Sequence, residues 1–304
     1  MIAVPHSQVT GNRLKRLSGY AIGIVLFYAP FALLVQGVGM LFPASTAGTS
    51  IADVHGACLR MPLGWLTQPW MWPTLGSSPI SWLPLAVLPL AAIALGPLFC
   101  GWLCPAGALP EYLGRIVPDK FKFDFKRYVD IVPLRYGFLA GLLLAPFVAS
   151  SITCSLCNFG QMQNLVGGAF GDPSGFVFFS SMGIIAAVLW IVPLGMFTKG
   201  GRGWCLFLCP AGTVMGLSSK LGARLPWTMR VRGDASACTG CGTCEDVCPM
   251  RAVDRVQSAE PATGIEPIEQ RAPGGHTING HLCIQCQDCV SACPAGALAY
   301  GRAR

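Results

Sequence analysis

The sequence predicts an α-helical membrane protein, with four transmembrane helices arranged as two parallel two-helix repeats, followed by a small cysteine-rich α+β domain. Three observations predict it. Apolar residues make up 53% of the 304 and charged residues only 12%, at a mean hydropathy of +0.54, where a soluble domain carries roughly a quarter charged residues. The frame C-x-x-x-C-P-A-G occurs twice, in "FCGWLCPAG" from Phe99 and "WCLFLCPAG" from Trp204, each just after a long apolar run. Eight of the 15 cysteines fall in the last 70 residues, where the composition turns polar. A net charge of +7 does not indicate nucleic acid, because the basic residues border apolar runs instead of alternating with aromatics.

Residues 1–16 read as a cytoplasmic tail and residues 17–222 as the membrane domain. From Leu17 to Phe42 no charge interrupts the chain, which exceeds the roughly 20 residues needed to cross a bilayer. It also exceeds the apolar core of a signal peptide, so despite the flanking "RLKR" and "ASTA" it reads as a retained anchor. Further spans are expected at residues 80–99, 136–153 and 175–197, with prolines that neighbouring helices accommodate. Lys and Arg orient them, since basic connections stay cytoplasmic. Of the 21 basic residues 20 lie before span one, between spans two and three, or after span four; residues 43–79 hold only Arg60, and residues 154–174 hold none. Both termini and both repeated motifs are therefore expected on the cytoplasmic side.

The carboxyl-terminal domain, residues 223–304, contains "CTGCGTCEDVCP" and "CIQCQDCVSACP", two complete C-x2-C-x2-C-x3-C-P frames. This is the bacterial 2[4Fe-4S] ferredoxin run, in which the fourth cysteine ligates the other cluster. The crossing assigns Cys238, Cys241, Cys244 and Cys293 to cluster one, and Cys283, Cys286, Cys289 and Cys248 to cluster two. Two complete frames argue against zinc, and a cytoplasmic setting argues against disulfides. The Pro/Gly-rich stretch within residues 249–282 reads as an exposed loop, with a partner-docking surface as the second reading.

The 105-residue offset between the CPAG motifs makes the membrane domain a parallel duplication, two spans and a motif in each half, related by a pseudo-two-fold axis along the membrane normal. That symmetry brings Cys100, Cys104, Cys205 and Cys209 together. If each pair continues a helical turn, residues i and i+4 share a face. The four can then bind a metal or a cluster, or stay as thiols.

Paired C-x3-C-P motifs followed by two ferredoxin frames resemble the NapH/MauN family of ferredoxin-type membrane proteins, and more distantly NosR and CcoG. The resemblance runs from span one to Cys293. It implies a multi-pass protein of the bacterial inner membrane, an electron-transfer subunit of a quinol dehydrogenase-type complex rather than a stand-alone enzyme, with quinol and a periplasmic iron–sulfur or other redox protein as partners. A second reading, drawn from the CcoG-like relatives, is a maturation factor that uses ferredoxin electrons to reduce a metal or thiol of a partner metalloenzyme. A scaffold whose clusters only hold the terminal domain folded is the third.

Cys58, Cys154 and Cys157 fall in the two connections expected to face outward, with Asp53 and His55 nearby in sequence. An oxidising periplasm favours a disulfide, with a redox or metal site as the alternative. Trp65, Trp70, Trp72 and Trp82 read as an interfacial belt; a quinone ring could also stack there, or near the amides of Gln161 and Gln163. Histidines occur only at positions 6, 55, 276 and 281, outside every span, which disfavours a membrane haem. The chain has no C-x-x-C-H, G-x-G-x-x-G or P-loop, so haem c, nicotinamide and nucleoside triphosphates have no support, and there is no flavin signal. No span carries a carboxylate or lysine, which disfavours a pump.

Overall fold

The computed structural model describes residues 6–28, 30–41, 59–77, 79–147, 156–172, 176–177, 179, 182–234, 236–255 and 276–302. Helix α1, His6–Phe27, carries Arg13, Lys15 and Arg16 in its first half and apolar residues in its second. It stops before Pro30, whose ring cannot continue a helix, and Ala32 takes a φ of 41° before α2, Leu33–Leu41, begins. The uninterrupted first span expected from residue 17 to residue 42 is thus two helices with a bend between them.

Four helices follow in the first repeat. These are α3, Arg60–Trp65; α4, Trp72–Ser77; α5, Pro79–Leu95; and, after a π-helical turn over Phe99–Leu103, α6, Pro105–Gly114. Then come α7, Ile131–Leu144, and α8, Asn158–Ala169. The second repeat has α9, Met182–Ile191; a π-helical turn over Val192–Met196; α10, Gly203–Phe207; and α11, Pro210–Ala223. Prolines and π turns divide the apolar runs, and no helix among the described residues is long and apolar enough to cross a membrane. Parts of the third and fourth expected spans lie outside the described residues.

The repeat is visible in backbone geometry. Cys104 and Cys209 each stand at the N-cap of a helix, with φ, ψ of −87°, 100° and −81°, 105°, and in each case the following proline occupies the first helical position. Proline fits there because its missing N–H would have no partner in the first turn. The C-x3-C pairs therefore do not continue one helical turn, since the chain leaves helical geometry at the second cysteine. The halves differ at the first, which lies in the π turn for Cys100 and in α10 for Cys205.

The last 80 residues form the α+β part. Strands β1, Arg230–Gly233, and β4, Leu298–Gly301, pair antiparallel, as do β2, Val253–Arg255, and β3, His276–Ile278. Short helices α12, Thr243–Asp246, and α13, Asp288–Ala292, pack between them. One hydrophobic core joins this part to the helical part: Leu206 and Phe207 of α10 and Ile131 of α7 pack with Val231, Met250, Ile284 and the cysteines at 244, 248, 286 and 289. Gly101 makes one of the close approaches, because a Cβ there would overlap the backbone of Ile284 and Cys286, as Cβ atoms at Gly200 and Gly216 would overlap that of Pro249 and His281. Beside it the Trp102 indole donates to the Gln285 carbonyl at 3.0 Å.

The substitution Gly101→Ala is expected to cost about 1–3 kcal/mol, as overpacking against a fixed backbone does. Gly11→Ala, where a Cβ meets nothing within 4 Å, serves as the control and should not lower the thermal midpoint.

Candidate functional site

The two ferredoxin frames repeat the same backbone turns. Positive φ angles recur at equivalent places: Gly240 at 67° and Gly242 at 80° in the first frame, Gln285 at 55° and Gln287 at 62° in the second. Arg251 at 50° and Gly296 at 63° correspond after each fourth cysteine. These left-handed residues turn the backbone so that the three close cysteines of each frame line one cavity. Glycine adopts such angles freely and glutamine does not. Gln285 is held there by its own amide, whose oxygen accepts from Val231 N at 2.8 Å.

Cys238, Cys241, Cys244 and Cys293 line one cavity, beside Thr239, Ala297 and Leu298. Cys248, Cys283, Cys286 and Cys289 line another, among Val231, Met250, Ile278 and Ile284. Four thiols with mainly apolar neighbours are a donor set that fits an iron–sulfur cube. The fourth cysteine of each frame accepts a backbone N–H from the residue four positions later, Ala252 to Cys248 Sγ and Ala297 to Cys293 Sγ, both at 3.3 Å. The cavities differ in depth: Cys241 is exposed, whereas Cys248, Cys286 and Cys289 are buried. Burial and hydrogen bonds to sulfur both tune cluster potential, so the sites are not equivalent.

A third cavity is lined by Cys100, Cys104, Cys205 and Cys209, with Arg135, Arg202, Met215, Met250 and His281 around them. Cys283 faces this cavity as well as the second ferredoxin one, so a shared wall separates the two. Cys100 Sγ lies 3.6 Å from Met215 Sδ, and Gly212 N donates to Cys209 Sγ at 3.4 Å. Burial, with the neighbouring sulfurs, pushes the Cys100 and Cys104 thiols up to about 12. Burial, with Lys220 and Arg135 nearby, pushes His281 down to about 4, which leaves its ring neutral. Among the described residues no three His, Cys, Asp or Glu side chains could hold a single metal ion. That is equally true of the eight ferredoxin cysteines, since the corners of a four-iron cube stand further apart than the ligands of one ion.

Arg16 and Arg202, which read as topology markers in the sequence, are instead fully buried. The Arg16 guanidinium donates to Asp288 Oδ2 at 2.7 Å, Glu111 Oε2 at 2.9 Å, Tyr20 OH at 2.7 Å and the Gly101 carbonyl at 3.0 Å. Arg202 donates to Glu111 Oε2 at 2.6 Å, the Cys100 carbonyl at 2.7 Å and Tyr20 OH at 2.9 Å. Arg115 takes the other Glu111 oxygen at 2.6 Å, and Asn12 Nδ2 donates to Asp288 Oδ1 at 2.7 Å. Burial alone would raise Glu111, but Arg202, Arg16 and Arg115 together hold its carboxyl down at about 2. The only trace of this network in the sequence is that Asp288 sits inside a ferredoxin frame and Glu111 follows CPAG by four residues, about one helical turn.

Of the cysteines expected to face outward, Cys58 and Cys154 lie outside the described residues, as do Asp53 and His55. Cys157 stands at the N-cap of α8, near enough to Cys209 to oppose its ionisation. Trp70, Trp72 and Trp82 are about half exposed, at 58%, 57% and 48%. Gln161 is wholly buried in α8 and Gln163 partly so.

Glu111→Gln leaves Arg16 and Arg202 short of a counter-ion and is expected to destabilise the protein by about 3–5 kcal/mol in chemical unfolding. In the wild type the stability carried by this carboxylate is complete above its ordinary value of 4.5 and is lost as pH falls toward about 2. The variant should therefore lose less stability than the wild type across that acid window.

The 4Fe-4S dicluster domain family matches residues 237–297, and a 4Fe-4S binding domain family matches twice, at residues 78–124 and 182–227. YccM of Escherichia coli K12 is 28% identical over 217 residues, 70% of this chain and 53% of its own length. The ferredoxin-type protein NapH of Haemophilus influenzae is 26% identical over 204 residues, 66% of this chain and 61% of its own. The methylamine utilization ferredoxin-type protein MauN of Methylorubrum extorquens is 31% identical over 153 residues, 50% of this chain and 47% of its own. The chain thus spans about half the length of YccM and MauN. No solved structure matches it. With both ferredoxin frames and both copies of the repeat matched, the comparisons support a NapH/MauN-type ferredoxin family for this chain.

Proposed function

We propose that the protein is an inner-membrane iron–sulfur electron carrier that accepts electrons from quinol and delivers them to a periplasmic redox partner. Eight ferredoxin cysteines grouped four and four in two adjoining cavities carry this reading. Cys238, Cys241, Cys244 and Cys293 would hold one [4Fe-4S] cluster, and Cys283, Cys286, Cys289 and Cys248 the other. Such clusters supply one-electron transfer. The chain's part is to bury the second site, leave the first near solvent, and fix both against the helical part through Gly101, Trp102 and the Arg16–Asp288 ion pair.

Membrane insertion through four spans, with both termini cytoplasmic, belongs to the same proposal. Large apolar side chains stand exposed along the expected spans, among them Val87 and Leu90 of α5, Phe138 of α7, and Ile185 and Val188 of α9. A soluble surface of this size would aggregate, while lipid would cover it. The half-exposed tryptophans suit the interface between the two. For quinol, an apolar groove of about 360 Å³ runs beside α7, lined by Leu134, Phe138, Leu142, Leu156 and Leu208, with Arg60 as its cation. Its volume falls within the roughly 300–1,000 Å³ of small-molecule sites, and Leu208 directly precedes Cys209.

Two measurements test this. A quinol analogue added to anaerobically purified protein should produce reduced-cluster EPR signals; signals that appear only with dithionite would favour the maturation reading instead. The crossed ligation predicts that Cys248→Ser and Cys286→Ser alter the same EPR signal, and that Cys293→Ser and Cys241→Ser alter the other. Pairing by sequence, with Cys248→Ser grouped with Cys241→Ser, would overturn the assignment.

A further inference from the structure

We propose that Arg16 raises the reduction potential of the second ferredoxin site and Asp288 lowers it, so that the buried ion-pair network poises this site and leaves the first one untouched. The inference rests on the ferredoxin reading, which gives the second site Cys283, Cys286, Cys289 and Cys248. Asp288 lies between Gln287 and Cys289, and its side chain and that of Arg16 are both fully buried, joined at 2.7 Å. Asn12, one turn before Arg16 on α1, donates to Asp288 Oδ1 at 2.7 Å and to the Cys286 carbonyl at 3.1 Å. Arg16 Nε binds the carbonyl of Gly101, which itself packs on the backbone of Cys286. Helix α1 thus holds a fixed cation against the loop that carries Cys286 and Cys289. The corresponding place in the first frame is Thr243, which carries no charge.

The sign of the effect follows from the charges. Three guanidinium groups, of Arg16, Arg115 and Arg202, face two carboxylates, of Glu111 and Asp288, which leaves the network one positive charge; Arg13, 3.8 Å from Asp288, adds a second. Reduction adds one negative charge to a cluster, and a cation held nearby in a poorly screened interior favours that state while an anion opposes it. Burial by itself makes the second site the harder to reduce, and the net positive network offsets this. The same field acts on the Cys286 thiol: burial pushes it up, Arg16 is the foremost charge opposing the rise, and Asp288 adds to it. At Cys244, in the first cavity, burial also pushes the thiol up, but the charges acting most strongly there are those of Cys241 and Cys293, with no cation among them.

A redox titration followed by EPR, on full-length protein purified anaerobically in detergent, tests this. The second-site signal is the one that Cys286→Ser alters, and the first-site signal the one that Cys241→Ser alters. The second-site midpoint potential is expected to shift negative in Arg16→Gln and positive in Asp288→Asn. In the double variant Arg16→Gln/Asp288→Asn, which neutralises both partners and leaves neither charge of the pair unanswered, it should lie between the two. The first-site potential should stay at the wild-type value in all three. A purely structural role would loosen the loop in either single variant and move the potential the same way, so shifts of one sign in both, no shift, or equal shifts of both signals would overturn the inference. Should Arg16→Gln fail to retain its clusters, the double variant and Asp288→Asn decide: the double variant must lie negative of Asp288→Asn, and equal potentials in the two would overturn the role of Arg16. Wild-type protein with neither signal would overturn the ferredoxin reading as well, whereas both signals present with an unmoved second-site potential would overturn this inference alone.

Discussion

Two buried carboxylates hold the molecule together. Glu111 follows the first CPAG motif and Asp288 lies inside the second ferredoxin frame, and between them they ion-pair with Arg16 from α1 and, through Glu111, with Arg202 from the approach to the second motif. Four chain segments far apart in sequence meet at one charged cluster. Ion pairs of this kind add little net stability over a well-packed apolar core, yet removing one partner is strongly destabilising. Their value here is positional. Arg16 and Tyr20 bind the Gly101 carbonyl and Arg202 binds that of Cys100, so the charged cluster fixes the backbone that carries the first repeat's cysteines.

Duplication explains much of the remaining architecture. A C-x3-C-P-A-G segment ends one helical turn and begins another, and the proline at the first helical position makes the break at the second cysteine inexpensive. Each copy brings two sulfurs to one cavity, which the two copies line together with four. The ferredoxin part uses the same economy, because each frame lends its fourth cysteine to the cavity of the other. Both duplications therefore interlock, and each site depends on segments from two places in the chain.

Depth orders the sites. One ferredoxin cavity opens toward solvent at Cys241, the next is enclosed, and the cysteine cavity of the repeat lies beyond the shared wall at Cys283. The two ferredoxin cavities differ in burial and share amide-to-sulfur hydrogen bonds at their fourth cysteines, and both features tune the potential of a cluster. The left-handed glutamines of the second frame show how firmly that frame is held. Gln285 keeps a positive φ where Trp102 binds its carbonyl and the backbone of Gly101 approaches the flanking Ile284 and Cys286.

Much of this was legible in the sequence because it depends on spacing. The eight ferredoxin cysteines, the duplication and the meeting of the four CPAG cysteines follow from intervals along the chain, and short intervals constrain geometry directly. Burial of charge was not legible. Arg16 and Arg202 sit beside apolar runs, where basic residues ordinarily mark the cytoplasmic end of a span, and only the folded chain puts carboxylates from 95 and 91 residues away against them. Helix continuity was half legible: composition marked the apolar runs, while local backbone geometry at Pro30, the π turns and the capped cysteines decided where each helix stops. Hydropathy sums over a window and does not register one missing N–H or one left-handed residue, so it passes over these local breaks, whereas the pairing of the buried charges was decided by tertiary structure alone.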